Sequence, residues 1–182
     1  GAVIGGVGVA IMAVPLRVEP DVVIDCRSVL LSISGLFFGP VPTVVGMSAT
    51  AAFRMFQGGV AVLPGVLLIL LAGSGGLLWH ARYRDRLATL SWRNLALMGL
   101  AVHGMALPLI LLLPGETVPH VLSAVAVPAL VFGPLGTAAL GLFLSNRIDR
   151  QEKIAALQES ESRFRELFDS VSDAILIHEP GS

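Results

Sequence analysis

The chain has 182 residues, 54% hydrophobic and only 14% charged, with a mean hydropathy of +0.81 and a formal net charge of −1. Soluble domains carry about 25% charged residues, so this is the composition of a membrane protein. A balance so near neutrality gives no reason to expect a nucleic-acid partner. One cysteine, Cys26, excludes an internal disulfide and any multi-cysteine metal site.

The charges are unevenly placed. Residues 1–145 hold seven arginines and five acids, net +2, whereas residues 146–182 hold five bases and eight acids, net −3. The first part reads as a membrane body and the second as a hydrophilic tail. Gly1 opens directly on apolar sequence with no basic leader, which reads as a segment of a longer chain and not a signal peptide.

In chain order, residues 1–16 form a glycine-rich hydrophobic helix. Its Gly1-x-x-x-Gly5 and Ala2-x-x-x-Gly6 spacings allow a second helix to approach closely in lipid. Pro15 and Pro20 then bracket a polar loop over residues 17–25. Residues 30–53 admit two drawings: one span kinked at Gly39-Pro40, or two shorter helices, about 21–38 and 41–57, with Gly-Pro as the tight turn between them. Charge closes this unit at both ends, with Asp25 and Arg27 on one side and Arg54 on the other. A charge at mid-bilayer costs about 2.5–3.5 kcal/mol on insertion scales, so these three need water or one another.

Residues 60–79 are a plain span whose Gly73-Ser74-Gly75-Gly76 run is thin, closely packable or flexible. The next loop sets Arg82, Arg84, Arg86 and Arg93 against the single acid Asp85, which places it in the cytoplasm by the positive-inside rule. Trp79, Tyr83 and Trp92 fall where interfacial aromatic anchors are expected. Residues 94–113 cross outward, Pro114-Gly115-Glu116 turns, and residues 118–145 return with kinks at Pro128 and Gly133-Pro134. The motif Phe38-Gly39-Pro40-x-x-Thr43 recurs as Phe132-Gly133-Pro134-x-x-Thr137. Were the second copy also a turn, the last span would be residues 135–145, only about 16 Å long at 1.5 Å per residue. It is therefore read as a kink and the echo as chance.

Beyond residue 147 the chain is a different material, with strong helix formers first and a β-prone run at residues 174–177 last. A heptad frame through Leu140, Phe143, Ile154, Leu157, Phe164 and Phe168 also puts Arg147, Arg150 and Glu161 at core positions. The coiled-coil signal is accordingly weak and short, and a continuous helix leaving the membrane is the better reading.

The residues Asp25-x-Arg27, Gly35-Leu36-Phe37-Phe38-Gly39-Pro40, Arg54 and Gly58-Gly59 resemble the LytS/YhcK-type five-transmembrane receptor domain. The likeness covers residues 1–92 and, more loosely, the chain to residue 146. Phe53-Arg54 departs from the His-Arg often found in that family, so a role for that histidine is not carried over. Such domains open sensor histidine kinases and diguanylate cyclases. They also look distantly like the substrate-binding subunits of vitamin transporters, six-helix bundles that hold a small ligand near the outer face. Residues 159–169 with Asp173-Ala174-Ile175 resemble the opening of a PAS domain. Only its first helix and strand are present, too little chain to bury a core or hold a cofactor.

The resemblance implies an all-α, polytopic transmembrane bundle of about six helices, one pair short and joined by Gly39-Pro40, followed by a cytoplasmic signalling helix. It divides the chain into a sensor domain (1–146), a linker helix (147–163) and the start of a PAS domain (164–182). It gathers Asp25, Arg27, Arg54, Gln57, Gly58 and Gly59 near the outer face. There Arg54 is the leading anion-binding or gating residue, because its fork can hold a carboxylate in bidentate fashion. A structural ion pair with Asp25 and snorkelling to the headgroups are the competing roles. His103, alone among apolar residues, is either a hydrogen-bonded packing histidine or an intramembrane sensor.

No histidine pair has metal-ligand spacing, and nothing resembles a nucleophile–base pair or a phosphate-cradling loop. The fragment is read as no enzyme, without cofactor or metal. The function implied is the input module of a bacterial signalling protein, a sensor histidine kinase of a two-component system or a diguanylate cyclase. It would lie in the inner membrane with its C-terminus in the cytoplasm. Expected partners are membrane lipid, an unknown small ligand or envelope stimulus, PAS and output domains in cis, and a second copy in a homodimer. The alternative is a solute-binding transporter subunit, against which the PAS-like tail argues. A third possibility is a purely structural anchor, in which Asp25, Arg27 and Arg54 would tolerate neutral substitution.

Overall fold

The computed structural model describes the backbone of residues 1–13, 16–19, 22–24 and 26–176. It is a helical bundle in which α1 (Ala2–Ala13), α2 (Arg27–Phe38), α3 (Pro40–Gln57), α4 (Val62–Tyr83), α5 (Trp92–Ala106) and α6 (Val118–Leu176) follow one another. The stretch read as a polar loop instead holds a small antiparallel hairpin, β1 (Leu16–Glu19) and β2 (Val22–Ile24), paired Leu16 to Ile24 and Arg17 to Val23. Valine and isoleucine on both sides of a turn account for this departure. Among the described residues, three helical stretches are long and apolar enough to cross a membrane: Val62–Thr89, Trp92–Leu112 and Val118–Arg165.

The choice between one span and two falls to two. Gly39 stands at φ 75°, ψ −167°, backbone that only glycine adopts at little cost, and Pro40 starts α3 at its first turn. The same tripeptide at Gly133-Pro134 stays inside continuous α6, as read from the length of the last span. What breaks the first copy is thus the conformation of Gly39 and not the motif. The two copies share a bonding pattern, one that Thr50 also makes to the Gly46 carbonyl outside the motif. Thr43 donates to the Gly39 carbonyl at 2.7 Å, and Thr137 donates to the Gly133 carbonyl at 2.8 Å. In each copy the glycine also lies against a histidine, His80 at Gly39 and His103 at Gly133.

The short helix α2 is the axis of the bundle. Leu31, Ile33 and Leu36 are buried on it, and so are Ser28, Ser32 and Ser34. Each of those hydroxyls is satisfied: Ser28 at His103, Ser32 at the Val29 carbonyl (3.0 Å), Ser34 at Thr43 (3.1 Å). Small residues let α4 lie almost on the α2 backbone. A Cβ on Gly35 would come within 2.7 Å of Leu77 N and 2.8 Å of the Gly73 carbonyl. The Gly73–Gly76 run is therefore a packing surface. On the other side α1 meets α3 through Gly1 and Gly5, while Gly6 faces open space.

Among the described residues, two apolar clusters fill the interior. One holds Ile33, Leu36, Leu90, Leu95, Met98 and Ala138; the other holds Leu31, Ile69, Ala72 and Val102. Pro108 lacks the N–H that would continue α5 regularly, and residues Leu107–Leu112 tighten into a 3-10 helix. At the far end α6 runs on without interruption past residue 163. Residues 174–176, expected to be β-prone, continue this helix, since strong helix formers precede them and so short a run has no partner strand among the described residues. Ile177 lies outside the described residues.

Candidate functional site

A cavity of about 230 Å³ opens where the N-terminus of α2 meets α4, α5 and α6. One wall is polar, made by Cys26, Arg27, Ser28 and His103; the remainder is apolar, including Leu68, Ile110 and Phe132. The size lies below the 300–1,000 Å³ typical of drug-sized ligands, so a small molecule is the fitting occupant.

The polar wall is positioned by helix geometry. The first α2 hydrogen bond, Leu30 N–H to the Cys26 carbonyl at 3.1 Å, sets Arg27 and Ser28 in the first turn. Arg27 is only 8% exposed, an unusual burial for a guanidinium and one that demands compensating interactions. His103 reaches Ser28 from α5, with Nε2 to Oγ at 3.0 Å, and its Nδ1 lies 2.8 Å from the Gly99 carbonyl. A carbonyl only accepts, so Nδ1 carries the hydrogen and donates it. In the neutral ring Nε2 is then the acceptor, and the Ser28 hydroxyl donates to it. A Cβ on Gly133 would strike the His103 ring. One imidazole therefore joins α5 to α2 by a hydrogen bond and touches α6 by contact, all beside the cavity.

Of the residues singled out from the sequence, Arg27 and His103 line this cavity, and Arg54, Gln57, Gly58 and Gly59 do not. Arg54 instead organises the turn from α3 to α4. Its Nε donates to the Ala61 carbonyl at 3.3 Å and a terminal nitrogen donates to Gln57 Oε1 at 3.0 Å. Gly58 and Gly59, at φ 69° and 87°, make that turn, and Gly65 lets the arginine stem lie against α4. Asp25 lies outside the described residues. Gly39 and Pro40 form the structural turn at the other end of α2.

Ser28, Cys26 and Gly133 were not singled out as site residues. A signal for Gly133 was present in the repeated Phe-Gly-Pro-x-x-Thr motif, and one for Ser28 in three serines spaced along a short helix.

The sequence model of one protein family, described as 5TMR of 5TMR-LYT, matches residues 1–147. No curated protein and no solved structure matches the chain.

Proposed function

The chain belongs to that 5TM-5TMR_LYT family of five-transmembrane receptor domains, and on this premise we propose that the cavity beside α2 is where a membrane sensor module receives its stimulus. The observation that carries the reading is the position of His103, which lines the cavity and touches both α2 and α6. A ligand that competes for the Ser28 or His103 hydrogen bonds changes which helices are tied together, and a packed interface answers by switching between discrete arrangements. The relay is α6, a single helix of 59 residues and about 90 Å at 1.5 Å per residue. It carries the displacement to PAS and output domains, a kinase or a cyclase, on the cytoplasmic side of a bacterial inner membrane.

The test is a thermal-shift screen of small metabolites against the protein in lipid nanodiscs, run in parallel on Ala129→Phe, which fills the cavity wall on α6. A true occupant present at about 100 times its Kd stabilises the native state by about 2.7 kcal/mol. This gain is expected in the parent and its loss in the filled variant, with the unliganded melting temperature retained. Hits that stabilise both proteins equally would place the binding site elsewhere.

A further inference from the structure

Six exposed arginines stand at the end of the bundle from which α6 leaves the apolar spans: Arg82, Arg84, Arg86, Arg93, Arg147 and Arg150. Counter-charge is scarce there. Among the described residues Arg84 pairs with Asp85 at 3.6 Å, and Asp149 is already held by Lys153 at 2.8 Å. Three of the arginines lie over neighbouring rings: Arg82 over Tyr83 at 5.5 Å, Arg93 over Trp92 at 5.9 Å, Arg147 over Phe143 at 5.4 Å.

The segments that bear these groups are tied to each other. The buried Ser145 hydroxyl of α6 donates to the Leu87 carbonyl at 2.7 Å. Tyr83, Leu87, Leu142 and Leu144 pack against one apolar cluster containing Leu90 and Leu95. The arginines thus ring a single rigid end of the molecule.

Tyrosine and tryptophan side chains, here Tyr83 and Trp92, settle at the boundary between acyl chains and headgroups. A guanidinium resting on such a ring stands at phosphate depth, with a planar fork suited to phosphate oxygens. We propose that this ring of arginines binds anionic phospholipid headgroups, whose phosphates sit between the residue 82–93 segment and the first turns of α6 beyond the membrane. The lipid then braces the base of the relay helix, and its charge sets how firmly α6 is held. The inference depends on the membrane-spanning fold and stands independently of what fills the cavity.

Lipid selectivity next to Trp92 reads this out directly. The chain has two tryptophans, and Trp79→Phe leaves Trp92 as the single reporter. Trp79 Nε1 is buried without a hydrogen-bond partner among the described residues, so the change sacrifices no bond. In vesicles, quenching of Trp92 by brominated phosphatidylglycerol is compared with quenching by brominated phosphatidylcholine. At about 0.1 M salt the anionic lipid should associate about fivefold more strongly per engaged arginine. The preference should collapse near 1 M salt, and it should fall toward one in the combined Arg84→Gln, Arg86→Gln and Arg93→Gln variant. Equal quenching by the two lipids at low salt would overturn the proposal and leave the surface for an acidic protein segment. A preference that survives both high salt and the triple substitution would also overturn it. Should the variant not fold, the salt series on the Trp79→Phe chain decides alone.

Discussion

Pro40 removes the N–H that would have closed the last turn of α2 on the Leu36 carbonyl. That carbonyl is not left bare, because His80 of α4 donates from Nδ1 at 2.7 Å. A side chain forty-four positions away thus completes the hydrogen bonding of a helix end and clamps α4 against the Gly39 turn. His80→Ala leaves a partly buried acceptor unsatisfied and should cost about 1–3 kcal/mol. Unfolding followed by circular dichroism in micelles measures it, and an unchanged midpoint would mean that water replaces the ring. Ser28 and His103 make the comparable bond at the other end of α2, where the cavity opens. Arg54 acts locally, bracing the α3–α4 turn through Ala61 and Gln57.

The number of helices was legible at the scale of elements because Gly39-Pro40, Gly58-Gly59 and Pro114-Gly115 are strong local punctuation. Close packing by Gly5 and by Gly73–Gly76 was legible for the same reason, since a missing side chain is visible in sequence. The hairpin was not, because short strands carry weak periodicity and prolines beside them look like loop. The cavity was not legible either. Its lining, from Arg27 and Ser28 to Leu68, His103 and Gly133, is brought from four helices, and only packing assembles it.

Reading α2 and α3 as two helices puts exposed Cys26 at the end of α2 opposite the Gly39 turn. A membrane-impermeant maleimide applied to intact cells should therefore label Cys26 if α6 leaves on the cytoplasmic side. Labelling only after permeabilisation would reverse the assigned orientation.

The whole molecule joins two kinds of material through one helix. The bundle is apolar on its outside, with residues such as Val41, Leu78 and Leu97 more than half exposed, as suits a lipid surroundings. The tail of α6 instead carries i,i+4 ion pairs, Lys153 with Asp149, Arg163 with Glu159 and Arg165 with Glu161. Ile154, Leu157, Phe164 and Phe168 remain exposed on that tail. The cavity wall on α6 and the tail are joined without a loop, because Ala129, Gly133 and Arg163 share one helix.

Electron–electron distance measurements test this coupling most directly, with spin labels on Thr89→Cys and Ser160→Cys in a Cys26→Ser background reconstituted in nanodiscs. Filling the cavity with Ala129→Phe should shift the label distance or change its distribution while total helix content stays constant. Superimposable distributions in the filled and unfilled proteins would contradict a cavity that speaks to the tail through α6.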